Sequence, residues 1–320
     1  PRRKRLRSSA GPDRNASNRL PLQVSFVIPL YNCLPLTQAM LASLRATIPA
    51  GLDHEIILVD DGSTDGTREW LAGCGDGFRV VLNERNLGYG AANNVGAGLA
   101  RGEQLALLNS DLLLSPHWLE PMLAVQRRLA GRAGIVGNVQ CDAGTGAIDH
   151  AGVFFDAKGK PAHERAVPWW AWLSRGSWRR APAVTGACVL VGRALWRELG
   201  GFDGRFRNGC EDVDLCLRAA AAGRVNAVAL RSRVRHHISA SPGRKLRDEE
   251  NTRRLVLRWR PALLRLGQEA LAWEDFASLA AGEPSRSRTL HLCACAAQVG
   301  GLRRTAAPAE FSNLHRNHSL

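Results

Sequence analysis

The chain has 320 residues, 45% hydrophobic and 22% charged, a globular composition that excludes a disordered or membrane-spanning chain. No apolar run approaches the roughly 18–20 residues of a membrane helix, and the opening Pro-Arg-Arg-Lys-Arg-Leu-Arg has no apolar stretch behind it, so no secretory signal is expected. The net charge of +14 is concentrated at the ends: residues 1–19 carry +6 and residues 283–320 carry +3, leaving a mildly basic centre suited to a polyanionic ligand.

Residues 1–22 are rich in Arg, Ser, Asn and Pro and are expected to be disordered. An apolar run predicts a first strand over 24–29, stopped by Pro29, with Tyr31 and Asn32 in the loop beyond. Leu36, Met40, Leu41 and Leu44 share one face of a helix over 36–47. A second buried strand over 55–60 runs straight into Asp61-Gly62-Ser63-Thr64-Asp65-Gly66-Thr67, and a short helix follows to about residue 71. A third strand covers 78–83. Asn86-Leu87-Gly88-Tyr89-Gly90 then opens an Ala/Gly-rich helix to about residue 100, and a fourth strand covers 104–109. Strands alternating with helices at this pace predict a parallel, helix-covered sheet. Parallel strands share a direction, so Asp60/Asp61, the 83–86 loop and Asn109/Asp111 fall on one edge, where such sheets bind ligands.

The second half changes character. A helix is expected over 116–130, with Pro116 in its first turn. Strands are expected over 134–139, 148–155 and 184–191. Trp169, Trp170, Trp172 and Trp178 cluster in a loop that could stack on sugar faces, meet a membrane interface or form a hydrophobic lid. A helix over 211–222 begins Glu-Asp-Val-Asp, a strand over 225–230 follows, and His236-His237 lies just past it. Residues 247–266 read as a basic helix, and periodicity is lost beyond 283. The expected organisation is a basic segment (1–22), one domain (23–282) and a disordered tail (283–320). Within the domain the expected divisions are 23–115, with the regular strand–helix alternation, 116–245, with the less regular elements, and 246–282, a helical segment. The eight cysteines include no Cys-x-x-Cys pair, which argues against structural zinc and fits a reducing cytosol. Cys188 and Cys216 lie in apolar runs and read as small buried hydrophobes.

Three groups of residues can carry chemistry. Two carboxylates at the end of a buried strand, Asp60 and Asp61, are costly side by side unless they meet donors or a cation. An Asp there can accept from a base or ribose, while Gly62 admits a ligand close to the backbone; Ser63 or Asp65 could equally make this a helix-capping turn. Asp111 offers oxygen to a hard cation, and a His such as His236 is a good ligand for a divalent ion. Glu211 and Asp212 sit in the first turn of a helix, whose free N–H groups keep a carboxylate ionised, so they are the best general-base candidates. Asp214 reads as a surface partner of Arg218 four residues on. Two rival functions are a nucleotidyltransferase and a non-catalytic nucleic-acid binder using the basic tails. The first would want a Gly-rich loop with Lys or Arg after the first strand, where Pro-Leu-Tyr-Asn stands. The second leaves the acids at the sheet edge unexplained. The dinucleotide motif G-x-G-x-x-G is absent after the first strand.

Taken together, these stretches resemble glycosyltransferase family 2, with its GT-A fold. They are Val27-Ile28-Pro29-Leu30-Tyr31-Asn32, the Asp60 to Thr67 run, Asn86-Leu87-Gly88 with Asn94-Val95-Gly96, and Leu108-Asn109-Ser110-Asp111. Thr185-Gly186-Ala187-Cys188, Gly200-Gly201-Phe202-Asp203 and Glu211-Asp212-Val213-Asp214-Leu215 follow in the same order. Within the family the chain looks most like bacterial rhamnosyltransferase-like enzymes of cell-surface polysaccharide synthesis. The resemblance implies an α/β GT-A fold: a Rossmann-like, mostly parallel central sheet flanked by helices, with a smaller acceptor-side region.

It implies an inverting transfer from a UDP-, dTDP- or GDP-linked sugar to a glycan or lipid-linked acceptor. Pro29, Tyr31, Asn32, Asp60, Asp61 and Gly62 would hold the nucleotide, and Asn86, Gly88 and Asn94 would line the nucleotide-sugar side. Asn109-Ser110-Asp111 would stand as the D-x-D motif that places Mg²⁺ or Mn²⁺ on the diphosphate, with Asp111 and His236 as metal ligands. Glu211 and Asp212 match the catalytic pair, with Asp212 as the base. Trp169, Trp170 and Gly186 fall on the acceptor side. One departure is Asn109: an amide in place of the first acid removes a negative charge and lowers the expected metal affinity. A cytoplasmic enzyme, touching the anionic inner face of the plasma membrane through its basic segments, is the expected setting; nucleic acid is not an expected partner.

Overall fold

In a computed structural model of the protein, the described residues are 23–156, 159–167, 169, 173, 177–237 and 247–280. The two segments expected to be disordered, together with Trp170 and Trp172, lie outside them.

The first half alternates as expected: β1 (Val24–Leu30), α1 (Leu34–Thr47), β2 (His54–Asp60), α2 (Thr67–Ala72), β3 (Arg79–Leu82), α3 (Tyr89–Leu99) and β4 (Gln104–Leu108). The second half comprises β5 (Leu112–Leu114), α4 (Leu119–Leu129), β6 (Ala133–Asp142), β7 (Ile148–His150), β8 (Val153–Phe155), β9 (Pro161–His163), β10 (Trp178–Arg180), β11 (Cys188–Gly192), α5 (Arg193–Leu199), α6 (Glu211–Ala221), β12 (Val225–His236) and α7 (Asp248–Ala280). The main sheet runs β10-β12-β6-β11-β4-β1-β2-β3, with β5 added on β12 and β7 on β6. Six of these eight path strands point one way; β11 and β10 are reversed. The sheet is thus curled, mixed at one side and mostly parallel.

Alternation within the strands explains the two-sided core. Val27, Ile57, Val59, Leu105 and Leu107 face one layer with α3, α5, α6 and α7. Phe26, Ile28, Leu58, Ala106 and Leu108 face the other, with Met40 and Leu44 of α1 and Met122 and Val125 of α4. Strands buried on both faces read as continuous apolar runs, which is why they were legible. The Ala/Gly composition of α3 has a packing reason: a Cβ on Gly96 would stand 2.5 Å from Val27 Cγ1. Chain order reverses at β1, which lies between β2 and β4, so the crevice at the C-terminal ends of β1 and β4 is a topological switch point.

Four expectations need correction. The strand expected over 148–155 is two strands, broken at Gly152 (φ 127), with β8 and β9 forming a separate small sheet. The 184–191 strand starts only at Cys188, so Thr185-Gly186-Ala187 is loop. The strand expected over 225–230 continues to His236 through an irregularity between Ala229 and Arg233; Arg231 and Arg233 hid it by interrupting the apolar pattern. Asp214 is not at the surface. It is fully buried, receiving Arg218 Nε at 2.7 Å, Trp259 Nε1 at 2.8 Å and Arg258 Nη1 at 3.1 Å. This cluster ties α7 to α6, and Leu255 and Leu263 bury the same helix in the core. Among the described residues no helix is long and apolar enough to cross a membrane.

Candidate active site

The switch-point crevice opens into a cleft of about 1560 Å³. Typical single-ligand pockets occupy roughly 300–1,000 Å³, so this one has room for two substrates. Its walls come from the ends of β1, β2 and β4, the start of α3, the β8–β9 hairpin, the 185–187 loop, the start of α6 and the first turns of α7.

One edge is built by β5, three residues that carried no sequence signal. It pairs antiparallel with the end of β12, setting Leu112 opposite His236. That pairing brings Asp111 Oδ1 to 3.2 Å from His236 Nε2, and His237 N–H donates to the Asp111 carbonyl at 3.0 Å. Asn109 Oδ1 is buried without a hydrogen-bond partner, and Asp111 Oδ1, also buried, forms no hydrogen bond beyond that close approach of His236, although buried oxygens are normally satisfied. Asn109 is fixed by its own N–H, which donates to the Ala187 carbonyl at 2.8 Å. Among the described residues no three His, Cys, Asp or Glu side chains form a complete metal site. The donor set is therefore a carboxylate, an imidazole and an amide oxygen. It fits a hard divalent ion, which would leave further positions for oxygens of a ligand.

The nucleotide side divides into residues that reach the cleft and residues that frame it. Pro29, Tyr31, Asp61, Asn86 and Gly88 line it, together with Asn109, Ser110 and Asp111. Tyr31 is 43% exposed, available to stack on a ligand. Asp61 is buried and accepts from Asn83 Nδ2 at 2.8 Å, Leu87 N at 3.0 Å and Gly88 N at 2.9 Å, which fixes the 83–88 loop over the end of β2.

Asn32, Asp60, Gly62 and Asn94 do not line the cleft, contrary to expectation. Asp60 is fully buried, bound by Arg68 Nε at 2.7 Å and by the amides of Gly62 and Ser63. Asn32 Oδ1 accepts from Thr64 N at 2.8 Å, while Asn32 N donates to Ser63 Oγ at 2.9 Å, so it fastens two loops together. Gly62 has φ 82, and a Cβ there would stand 2.8 Å from the Arg85 carbonyl carbon; the glycine admits the neighbouring loop rather than a ligand. Asn94 exchanges two hydrogen bonds with the Phe202 backbone, at 2.8 and 2.9 Å. The acid-rich turn is chiefly a frame. Arg68→Ala is accordingly expected to cost about 2–3 kcal/mol, below the range for a fully buried pair because Arg68 is one-third exposed. Chemical denaturation checks this, and an unchanged midpoint would refute the framing role.

The catalytic wall is the first turn of α6. Glu211 is buried, and its Oε2 accepts from Gly209 N at 2.6 Å, bracing the loop before the helix. Asp212 is half-buried on the cleft wall; Oδ2 accepts from Gly186 N at 2.7 Å and Oδ1 from Val213 N at 2.8 Å. Gly186 must be small there: a Cβ would lie 3.2 Å from Asp212 Cβ and 3.3 Å from Tyr89 Oη. Burial, and then Asp212 and Glu211, push the Cys210 thiol up to about 12, so it is no nucleophile. Trp169 is 75% exposed and outside the cleft lining, whereas Trp178 is packed in β10.

Sequence reasoning did not assign a role to Tyr89, Asn208, His150 or the first turns of α7. Asn208 Oδ1 accepts from Tyr89 N at 3.1 Å and holds the start of α3. His150 Nε2 accepts from Thr185 N at 3.3 Å; burial, and then the charges of His163, Arg179 and His236, keep its ring neutral well below the ordinary imidazole range. The available signal was the position of Tyr89 directly after Gly88 in a motif already singled out. His150 carried none.

A family model for glycosyl transferase family 2 matches residues 25–170. The chain carries a glycosyltransferase family 2 domain. It is similar to the O-antigen biosynthesis protein RfbC of Myxococcus xanthus, 33% identical over 239 residues, covering 68% of this chain and 18% of that protein. It is also similar to an N-acetylglucosaminyl-diphospho-decaprenol L-rhamnosyltransferase of Mycobacterium tuberculosis, 28% identical over 244 residues, covering 67% of this chain and 76% of that protein. Among solved structures, GalNAc-T7 with UDP, GalNAc and Mn²⁺ superposes with a TM-score of 0.61 at 19% identity, covering 79% of this chain and 52% of that one. That likeness is one of fold, and the fold is of GT-A type. The chain spans 18–27% of the length of four curated relatives it matches.

Proposed function

We propose that this family 2 protein is an inverting glycosyltransferase of cell-surface polysaccharide synthesis. It transfers a sugar from a nucleoside diphosphate to an acceptor hydroxyl. The observation that carries the reading is one cleft joining a diphosphate-type edge (Asn109, Asp111, His236) to a carboxylate at a helix start (Asp212). Tyr31, Asp61, Asn86 and Gly88 bind the nucleotide and sugar. Asp212 takes the proton of the acceptor hydroxyl as that oxygen attacks the anomeric carbon from the face opposite the leaving nucleoside diphosphate. The departing diphosphate oxygen carries away the electron pair of its bond to the anomeric carbon, so a glycosidic bond forms as the sugar–phosphate bond breaks and configuration inverts. Asp111, His236 and Asn109 would hold Mg²⁺ or Mn²⁺, which when bound offsets charge on the diphosphate. The relatives' names support a glycan setting: one is an O-antigen biosynthesis protein, another acts on a diphospho-decaprenol-linked sugar. A lipid-linked or glycan acceptor and a place at the inner membrane face follow the same reading.

The test is a thermal-shift screen of UDP-, dTDP- and GDP-sugars with and without Mn²⁺. One donor present at about 100 times its Kd should stabilise the fold by ~2.7 kcal/mol. Stabilisation by nucleoside triphosphates alone would replace this reading with a nucleotidyltransferase.

A further inference from the structure

The 185–187 loop lies outside the strands and helices, yet it joins the Asn109 edge of the cleft to the start of α6. Thr185 N donates to His150, Gly186 N to Asp212, and the Ala187 carbonyl accepts from Asn109 N. At its centre Gly186 is gripped from both ends. Its amide meets Asp212 Oδ2 at 2.7 Å, and its carbonyl accepts from Tyr89 Oη at 2.7 Å. The other oxygen of Asp212 is met by Val213 N, from the same helix. The Gly186 amide is thus the contact from outside α6 that sets how the carboxylate is turned.

We propose that Tyr89 is a positioning residue for Asp212, acting through Gly186, which its hydroxyl holds where the Gly186 amide can grip the carboxylate. The ring is anchored independently of the hydroxyl. It packs on Phe202 at 5.8 Å, and Phe202 stands edge-on to Trp196 at 5.1 Å. Tyr89 is half-buried on the cleft wall, and desolvation of the phenol, then Glu211 and Asp212 nearby, keep it protonated well above its ordinary range, so it remains a donor. Tyr89 directly follows Gly88, so the loop that meets the nucleotide sugar and the residue that sets the base are one segment. An error of about 1 Å in such a constellation is enough to cost on the order of 10²-fold in rate.

The role rests on Asp212 being the base, but its test needs neither donor nor acceptor and so fails separately from that reading. Protein labelled with ¹⁵N-glycine gives a Gly186 amide signal, assigned by its loss in Gly186→Ala. Asp212→Ala marks its position without the carboxylate. In Tyr89→Phe the amide proton should move toward that position and exchange with solvent about fivefold faster, the scale of one hydrogen bond. An unmoved signal overturns the proposal, because a tyrosine that merely filled space would be replaced by phenylalanine without effect. Should Tyr89→Phe not fold, global 3-fluorotyrosine decides. The chain has two tyrosines, and Tyr31→Phe separates their ¹⁹F signals. Asp212→Ala must then shift the Tyr89 ¹⁹F signal, and a fixed signal overturns the proposal.

Discussion

Asp212→Asn is expected to lower turnover by about 10²–10⁴-fold while leaving donor affinity within a few-fold of the parent. The amide has nearly the same shape as the carboxylate. Its oxygen can keep the 2.7 Å hydrogen bond from Gly186, while its NH₂ faces Val213 N and forfeits the 2.8 Å bond there. The folding cost is therefore about 1 kcal/mol, small beside the catalytic loss. The loss comes from basicity: an amide cannot take the proton from the acceptor hydroxyl as its oxygen attacks. Glu211→Gln is the control. Glu211 is buried with Oε2 on Gly209 N, so its replacement should show in thermal stability more than in turnover. The measurement is initial rate with the donor found by the screen, alongside donor binding by calorimetry. If Asp212→Asn transfers sugar at the parent rate, the base lies elsewhere. If both variants lose donor binding, the first turn of α6 holds the donor rather than activating the acceptor.

The parallel half of the fold was legible because β1, β2 and β4 are largely buried on both faces and turn residues bracket the more exposed β3. Periodicity and turn residues then place β1, β2, β3 and β4 to within two residues. The residues named for the site were less evenly legible. Asp61, Asn109, Asp111, Gly186 and Asp212 do meet in one cleft. Asp60 and Asn94 carry the same side-chain chemistry as their neighbours, but they spend it on Arg68 and on the Phe202 backbone. A motif states which residue types stand at a strand end and is silent on which way each one turns. Asp60 is the last residue of β2 and Asp61 the first beyond it, so one acid is held in the frame while the other reaches the cleft. His236 shows the opposite failure. Its residue type suggested a ligand, but what brings it to Asp111 is β5, too short to have a period, and a strand whose apolar pattern breaks at Arg231 and Arg233. Tyr89 was hidden for another reason. Its partners Gly186 and Asn208 lie in the second half of the chain, and a local pattern cannot report long-range contacts.

Asp111→Ala should abolish the dependence of donor binding on Mn²⁺. In the parent protein, adding a chelator should weaken binding of the nucleoside diphosphate; in the variant, affinity with and without chelator should coincide at the weaker value. The expected gap is at least the roughly 10–100-fold that even an outer partner of a metal ligand carries. Asn109 Oδ1 is buried without a hydrogen-bond partner, and buried Asp111 Oδ1 has the His236 ring nitrogen 3.2 Å away but no hydrogen bond. A buried acceptor without a hydrogen bond costs about 1–3 kcal/mol in a finished fold, so two of them on residues of one cleft wall mark a place that a ligand completes. Two sources could complete it, and the variants separate them. A divalent ion needs the charge of Asp111, so Asp111→Asn should behave almost as Asp111→Ala. A hydrogen-bond donor on the ligand needs only an acceptor, so Asp111→Asn should bind almost as the parent does. Asn109→Asp sharpens the choice further. It restores the carboxylate pair of a D-x-D motif, so Mn²⁺ affinity should rise if an ion sits there. Without an ion, the added negative charge repels the diphosphate, and donor affinity should fall.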